Sequence, residues 1–148
     1  MAKPFALQTV LELMQARSDE ATQNLARLIA REQDAKTKLE MLEQYRSEYA
    51  QRFQQAAQNG LAPHEWQNYQ SFLGRLDEAI DAQHKAVRQQ EQATLDGQRQ
   101  WAEQRQKLKA IDTLSERHFS NETSLENKRI QKVQDEFAAR GKSGDDGH

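Results

Sequence analysis

The stretch Ala56-Ala-Gln-Asn-Gly-Leu-Ala-Pro-His-Glu-Trp66 decides the fold of this chain, because it ends one helix and begins another. Gly60 follows the last residue of a periodic segment, and glycine at that position is the usual stop of a helix. Pro63 suits the first turn of a new helix, where its missing N–H costs nothing, and Glu65 complements the helix dipole there. The connection is only a few residues long, so the two helices should be antiparallel neighbours.

The segment before this turn carries a seam of apolar residues at alternating spacings of four and three. Twelve of its fifteen positions are apolar, and the seam runs Leu7, Leu11, Met14, Ser18, Ala21, Leu25, Leu28, Glu32, Ala35, Leu39, Leu42, Arg46, Tyr49, Phe53 and Ala56. A heptad pattern held without a slip predicts a coiled coil. The interruptions at Ser18, Glu32 and Arg46 weaken the seam, but polar residues in a seam can fix its register.

The segment after the turn carries a weaker seam, with nine of fourteen positions apolar. It runs Trp66, Tyr69, Leu73, Leu76, Ile80, Gln83, Val87, Gln90, Thr94, Gly97, Trp101, Gln104, Leu108 and Ile111. A hairpin that turns near residue 61 pairs residues whose numbers sum to about 122. Leu25 should then face Gly97, and polar layers should form between Ser18 and Gln104 and between Glu32 and Gln90. The pattern by itself also allows a shift of one heptad. It predicts an all-α fold, a long two-helix antiparallel coiled-coil hairpin.

The chain is predicted to form a single hairpin over residues 1–140. Helix one should span about 4–58, the turn about 59–62 and helix two about 63–140. Residues 141–148 are rich in glycine and charge, so we expect them to be a disordered tail.

The second seam fades after Ile111, and a possible break in helix two is expected near residues 119–123. Ser120 or Asn121 could cap a fresh helix there. Beyond this point an apolar stripe has no partner inside the hairpin, which invites another protein. The stripe consists of Leu125, Ile130, Val133 and Phe137.

Composition argues against several classes of function. The net charge is −2 with both signs interspersed, so no basic stripe suggests a nucleic-acid partner. The chain has no cysteine, which excludes disulfides and thiolate metal sites. No run approaches the ~18 apolar residues of a membrane span, and the N-terminus lacks a signal peptide, so the expected location is the cytoplasm.

The chain also lacks a recognisable catalytic motif. None of its four histidines lies three or four residues from another, so no local metal pair exists. Gly141-Lys142-Ser143 resembles the end of a phosphate-binding loop, but the glycine required five residues earlier is Glu136. We therefore predict that the protein is not an enzyme, needs no metal or cofactor, and acts by binding other proteins.

A row of residues beside the seam near the turn is the candidate binding site. It consists of Lys38, Leu42, Tyr45 and Tyr49 on helix one and Phe72, Leu76, Ala79 and Gln83 on helix two. Spacings of four, three and four place each set along one helix face. Tyr45 and Phe72 fall outside the core heptad positions, so two helices alone cannot bury them fully. They either thicken the seam or form an exposed aromatic patch that docks a partner, and two large flanking aromatics favour docking.

Several motifs resemble the flagellar FliJ export family. They are Leu39-Glu-Met-Leu-Glu-Gln-Tyr-Arg-Ser-Glu-Tyr49, Asn59-Gly60, Trp66-Gln-Asn-Tyr-Gln-Ser-Phe72, Leu76-Asp-Glu-Ala-Ile80, Trp101 and Asp135-Glu-Phe-Ala-Ala139. The likeness covers roughly residues 5–140. The most specific motifs are the Tyr-x-x-x-Tyr, Asn-Gly and Trp-x-x-Tyr-x-x-Phe set around the turn.

The resemblance implies a soluble component of the flagellar type III export apparatus that looks like the central stalk of rotary ATPases. The implied partners are the hexameric ring of the export ATPase FliI, the cytoplasmic region of the export gate protein FlhA, FliH and export chaperones. The implied location is the cytoplasmic side of the inner membrane at the flagellar base, reached only through proteins.

Carried onto this sequence, the resemblance assigns two binding faces. The gate-binding face is the row Lys38, Leu42, Tyr45, Tyr49, Phe72, Leu76, Ala79 and Gln83. The candidate ring-entering end is formed by the paired termini with Leu125, Ile130, Val133 and Phe137. Two other functions remain open: the stalk protein of a virulence-type secretion system, and a structural or chaperone-like coiled coil that self-associates.

Overall fold

The computed structural model describes the backbone of residues 2–145 and the side chains of residues 6–141. Within this range the chain forms two α-helices, α1 (Ala2–Gln58) and α2 (Pro63–Asp145), and none of the described residues lies in a strand. The two helices pack against each other, so the predicted all-α helical hairpin is confirmed.

The hairpin divides into two compact units. The turn unit comprises Asp19–Glu103 and contains the connection between the helices. The terminal unit comprises Met1–Ser18 and Gln104–His148. Each unit is built from a segment of α1 packed on a segment of α2.

The turn between the helices depends on one glycine. Gly60 has a φ of +89°, a left-handed conformation that costs a residue with a Cβ far more than it costs glycine. Its N–H donates to the carbonyl of Ala57 at 3.3 Å, which satisfies a backbone acceptor at the end of α1. Pro63 then begins α2, and the Trp66 N–H donates to the carbonyl of Ala62 at 3.0 Å.

The register of the turn unit follows from its contacts. Thr94 Oγ1 lies 3.4 Å from the carbonyl oxygen of Leu28, and Gly97 lies against Leu25 and Leu28. These pairs sum close to 122, so the predicted pairing of Leu25 with Gly97 is confirmed. A shift of one heptad would move every one of these pairs apart by about 10 Å along the helix axis.

Two polar residues of the α2 seam, Gln83 and Thr94, donate to backbone carbonyls. Gln83 Nε2 donates to the carbonyl of Ala35 on the facing helix at 2.9 Å. The Thr94 side chain is only 6% exposed, and its hydroxyl lies within hydrogen-bonding distance of the carbonyls of Gln90 and Leu28. A buried donor without a partner would be costly, so these bonds let the seam include polar residues.

The residues of the two expected polar layers have different surroundings in the structure. Ser18 is buried, and Gln104 is half-buried with its Oε1 atom enclosed by protein. Glu32, which we expect to face Gln90, has its Oε2 3.3 Å from Nζ of Lys36 on its own helix.

Gly97 allows α1 to approach α2 closely. A Cβ built on this glycine would lie 2.4 Å from Cδ1 of Leu28 and 3.7 Å from Cδ1 of Leu25. The space that a side chain would occupy is therefore filled by leucine from the facing helix. By contrast, a Cβ on Gly74 would have no neighbour within 4 Å.

The C-terminal half of α2 differs from what the sequence predicts. The expected break near residues 119–123 is absent, since α2 runs through this segment without interruption. The Thr123 hydroxyl donates to the carbonyl of Phe119 at 2.9 Å, a bond within the helix that does not cap a new one. The helix also continues through Gly141 to Asp145, although residues 141–148 were expected to be disordered. Each of the two glycines in this segment, Gly141 and Gly144, costs a helix only about 1 kcal/mol, which does not force it to end. Residues 146–148 lie outside the described part of the chain.

We predict that Gly97→Leu destabilises the hairpin by about 1–3 kcal/mol, because the new side chain must displace Leu28 from a filled site. Gly74→Leu is the matched control. It adds a good helix former at an exposed position and should raise stability by up to about 1 kcal/mol. Urea unfolding followed by circular dichroism measures both. Equal stability of the two variants would show that α1 does not approach α2 closely at Gly97.

Candidate partner-binding surfaces

Six aromatic side chains form a continuous cluster beside the turn. Tyr49 is central, with its ring centroid 4.5 Å from that of Phe72, 5.3 Å from Tyr69 and 6.4 Å from Tyr45. Phe53 extends the cluster toward the turn, at 4.8 Å from Trp66 and 5.3 Å from Tyr69. Tilted and edge-on ring pairs at these distances contribute about 0.5–1.5 kcal/mol each beyond area burial. The cluster therefore stabilises the hairpin next to its turn.

One edge of this cluster is open to solvent. The Tyr45 ring packs edge-on against Phe72 at 6.1 Å, yet Tyr45 remains 45% exposed. Met41 lies one helical turn before Tyr45 on the same face and is 65% exposed. We call Met41, Tyr45 and Phe72 the aromatic patch. Sequence reasoning missed Met41, although its spacing of four from Tyr45 was a signal that could have found it.

The residues of the predicted gate-binding row differ in how exposed they are to solvent. Lys38 and Tyr45 are exposed, whereas four further members of the row are half-buried: Leu42, Tyr49, Phe72 and Ala79. Ring contacts join Tyr45, Tyr49 and Phe72 directly. The structure thus brings the aromatic members together at one site.

The other two members of the row belong to the interior. Leu76 is only 7% exposed, so it packs in the core of the hairpin. Gln83 is half-buried, and its amide nitrogen is used in the hydrogen bond to Ala35. Leu76 therefore offers little surface to a partner.

The opposite flank of the hairpin carries cross-helix charge pairs. Arg46 donates two hydrogen bonds to the carboxylate of Asp77, with Nη2 at 3.5 Å from Oδ2. This hydrogen bond, and then the charge of Asp77, raises the pKa of Arg46, which is already charged at physiological pH. His84 Nε2 lies 3.4 Å from Glu43 Oε1 on the same flank.

The terminal unit presents a second apolar surface. All side chains from residue 119 to residue 141 are exposed, and Phe137 is the most exposed large apolar one at 80%. The predicted members Ile130, Val133 and Phe137 share one helix face, which Phe119 joins at the same heptad spacing. Leu125 is also exposed but lies on a different side of the helix. We call Phe119, Ile130, Val133 and Phe137 the terminal stripe.

A shallow apolar concavity of about 430 Å³ lies where α1 and α2 pack in the terminal unit. It is lined by Ala6, Leu7, Val10, Leu114 and His118. This is where the paired termini of the sequence analysis come together.

The described residues contain no group of three or more His, Cys, Asp or Glu side chains placed to hold a metal ion. His118 has one close carboxylate, Glu122, with Nε2 to Oε1 at 3.1 Å. Within the same part of the chain, neither helix has an apolar segment long enough to cross a membrane.

We predict that Tyr49→Ala costs about 2–3 kcal/mol of stability, because Tyr49 contacts three other rings. Tyr45→Ala should cost about 1 kcal/mol or less, since nearly half of its side chain is already in water. Urea unfolding followed by circular dichroism compares the two variants. Equal losses would mean that Tyr45 contributes to stability as much as a seam residue.

The chain matches known proteins along almost its whole length. A protein-family model described as Flagellar FliJ protein matches residues 3–144. The Flagellar FliJ protein of Salmonella typhi is 34% identical over 140 residues, and that of Escherichia coli (strain K12) is 32% identical over 140 residues. Each alignment covers 95% of this chain and 95% of the relative. The match spans both helices and the turn, and the chain therefore belongs to the flagellar FliJ protein family.

Proposed function

We propose that this protein, a component of the flagellar export apparatus, couples the export ATPase FliI to the export gate protein FlhA and assists the delivery of chaperone-bound substrates. It acts by binding and carries out no chemistry. The observation that carries the proposal is the aromatic patch, an exposed apolar surface held by a packed cluster of rings.

The aromatic patch has the properties of a binding hot spot. Large aromatic side chains contribute most to binding when they are held in one position before the partner arrives. Tyr45 is held in this way, because its ring contacts both Tyr49 and Phe72. The patch can therefore bury apolar area against a partner without a large loss of side-chain entropy. We assign the gate contact to it.

The terminal stripe is the surface that we assign to the ATPase ring. Its residues, together with Leu125, are exposed on α2 and offer apolar side chains to a groove or channel in another protein. The 27 residues from 119 to 145 span about 40 Å at 1.5 Å per residue, long enough to enter the opening of a ring.

Binding at these surfaces would work by shifting conformational equilibria. A ligand changes the balance between two states of its partner only if it binds them with unequal affinity. In the proposed mechanism, the stripe favours one state of the ATPase ring and the patch favours one state of the gate. Different residues form the two surfaces, so substitutions can separate the two activities.

We predict that Met41→Ala with Tyr45→Ala weakens binding to the cytoplasmic region of FlhA about tenfold or more, which corresponds to about 1.4 kcal/mol. The loss follows from removing the exposed half of the patch. The matched control is Ile29→Ala with Leu95→Ala, two apolar residues of the same unit with 49% and 50% exposure. Titration calorimetry on folded variants gives the affinities. Unchanged binding by the patch variant, or an equal loss in the control, would remove the gate contact from this site.

We predict that Val133→Ser with Phe137→Ser removes the effect of this protein on FliI turnover and ring assembly, because it makes the terminal stripe polar. Leu125→Ser should have a smaller effect, since Leu125 lies on another side of α2. The control Gln131→Ser with Gln134→Ser changes exposed polar residues of the same segment. An ATPase assay distinguishes these variants. If the wild-type chain leaves FliI turnover and assembly unchanged, the stalk role is wrong.

A self-associating coiled coil is the second candidate function, and the exposed terminal stripe favours it. Two copies could cover their stripes against each other. Light scattering over a range of concentrations tests this function: a stable dimer that binds neither FliI nor FlhA would support it. Membership of the flagellar family favours the flagellar role over that of a virulence-type secretion stalk.

A further inference from the structure

The two flanks of the hairpin differ in charge near the aromatic patch. The flank that contains Tyr45 also carries Lys38 and Arg52, each seven residues away on α1, and Arg75, which lies three residues after Phe72 on α2. We call this the basic flank. The opposite flank carries Glu43 and Asp77 at corresponding heptad positions.

Two carboxylates of the opposite flank are paired within the hairpin. Asp77 accepts two hydrogen bonds from Arg46, and Glu43 lies 3.4 Å from Nε2 of His84. Glu40 and Asp81 lie on the same flank, three residues before Glu43 and four residues after Asp77, and have no ion pair among the described residues. The opposite flank is therefore acidic.

The three cations of the basic flank form no ion pair among the described residues. Lys38, Arg52 and Arg75 are exposed, and among the described residues none of them has a carboxylate oxygen within 4.0 Å. Glu48 lies on this flank between Tyr45 and Arg52, and Gln44 Nε2 lies 3.4 Å from its Oε1. Glu65, seven residues before Phe72, is the second carboxylate of this flank. The aromatic patch is therefore an apolar centre on a flank with three cations that have no ion pair and two carboxylates, a small excess of positive charge.

We propose that the partner segment that covers the aromatic patch is acidic. It inserts a large apolar side chain over Met41, Tyr45 and Phe72, and its carboxylates reach the three cations of the basic flank. This inference rests on the proposed gate contact, and it places the acidic segment in the cytoplasmic region of the export gate protein. Electrostatic complementarity around an apolar centre selects the partner and orients it on the surface.

A second copy of this chain is the other occupant that the test distinguishes. The opposite flank of another copy would offer the carboxylates of Glu43 and Asp77, which already have partners in their own hairpin, and those of Glu40 and Asp81, which have no ion pair among the described residues.

The test reverses the charge of two of the three cations by replacing them with glutamate. Arg52→Glu with Arg75→Glu is compared with Arg88→Glu with Arg99→Glu, which makes the same change in net charge at exposed positions without ion pairs among the described residues. All four arginines are exposed, so both variants should keep the thermal stability of the wild type. Binding to the cytoplasmic region of the gate protein is measured by titration at low and moderate salt. The Met41→Ala with Tyr45→Ala variant is titrated alongside them.

We expect the Arg52 and Arg75 variant to bind about tenfold or more weakly at low salt, and the control to stay within about twofold. The difference should shrink as salt rises, because screening weakens exposed charge interactions. Equal losses in the two charge variants would mean that only net charge matters, and would overturn the proposal.

The remaining outcomes separate this inference from the proposed function. If the Met41 and Tyr45 variant loses binding while both charge variants bind like the wild type, the gate contact stands and the acidic segment is wrong. If the wild type does not bind the gate region at all, both are wrong. Light scattering covers the last outcome. If the wild type is a dimer, the Arg52 and Arg75 variant alone is a monomer, and gate binding is the same in both, then the occupant of the surface is a second copy. That result would overturn the proposal.

Discussion

Contacts between α1 and α2 in the turn unit depend on the turn at Gly60, because a short connection fixes which residues of the two helices can face each other. The left-handed φ of +89° ends α1 and lets Pro63 begin α2 three residues later. From this point outward, each residue of α1 meets a partner determined by its distance from the turn. The same register brings Leu25 and Leu28 against Gly97, and it brings Gln83 to the carbonyl of Ala35.

A core made of two helices is only one layer of side chains thick, and this explains why apolar side chains are exposed on the surface of the protein. No described side chain is completely buried, and the buried apolar residues are as few as Ala35, Leu76 and Val87. Large side chains at flanking heptad positions therefore stay partly in water. Next to the turn this constraint produces a ring cluster that is packed on its inner side and open at Tyr45. In the terminal unit it leaves Phe137 and its neighbours exposed.

The chain belongs to the flagellar FliJ family, and the binding role that we propose for it needs contact residues that are held in place. In the aromatic patch Tyr49 does this, because its ring packs against those of Tyr45 and Phe72. The two flanks beside the aromatic patch differ in charge, and this difference would orient a charged partner on the patch. Paired charges such as Arg46 and Asp77 join the helices, whereas unpaired ones such as Arg75 remain available to a partner.

The sequence by itself determined the two helices and the position of the turn, because heptad spacing and backbone stops are local properties. It predicted the pairing of Leu25 with Gly97 but also allowed a shift of one heptad, which the contacts between the helices exclude. It also placed Tyr45 and Phe72 beside the seam. Only the tertiary structure decided how exposed each of these residues is, since exposure depends on the size of the side chains that the facing helix supplies. For this reason Leu76 proved to be core and Met41 joined the patch. Phe119 rather than Leu125 aligned with the terminal stripe because α2 is continuous through residues 119–123, so heptad spacing carries on across the expected break. The sequence also misplaced a break at residues 119–123, because residues that can cap a helix do not by themselves end one, and here the Thr123 hydroxyl bonds within the continuous helix.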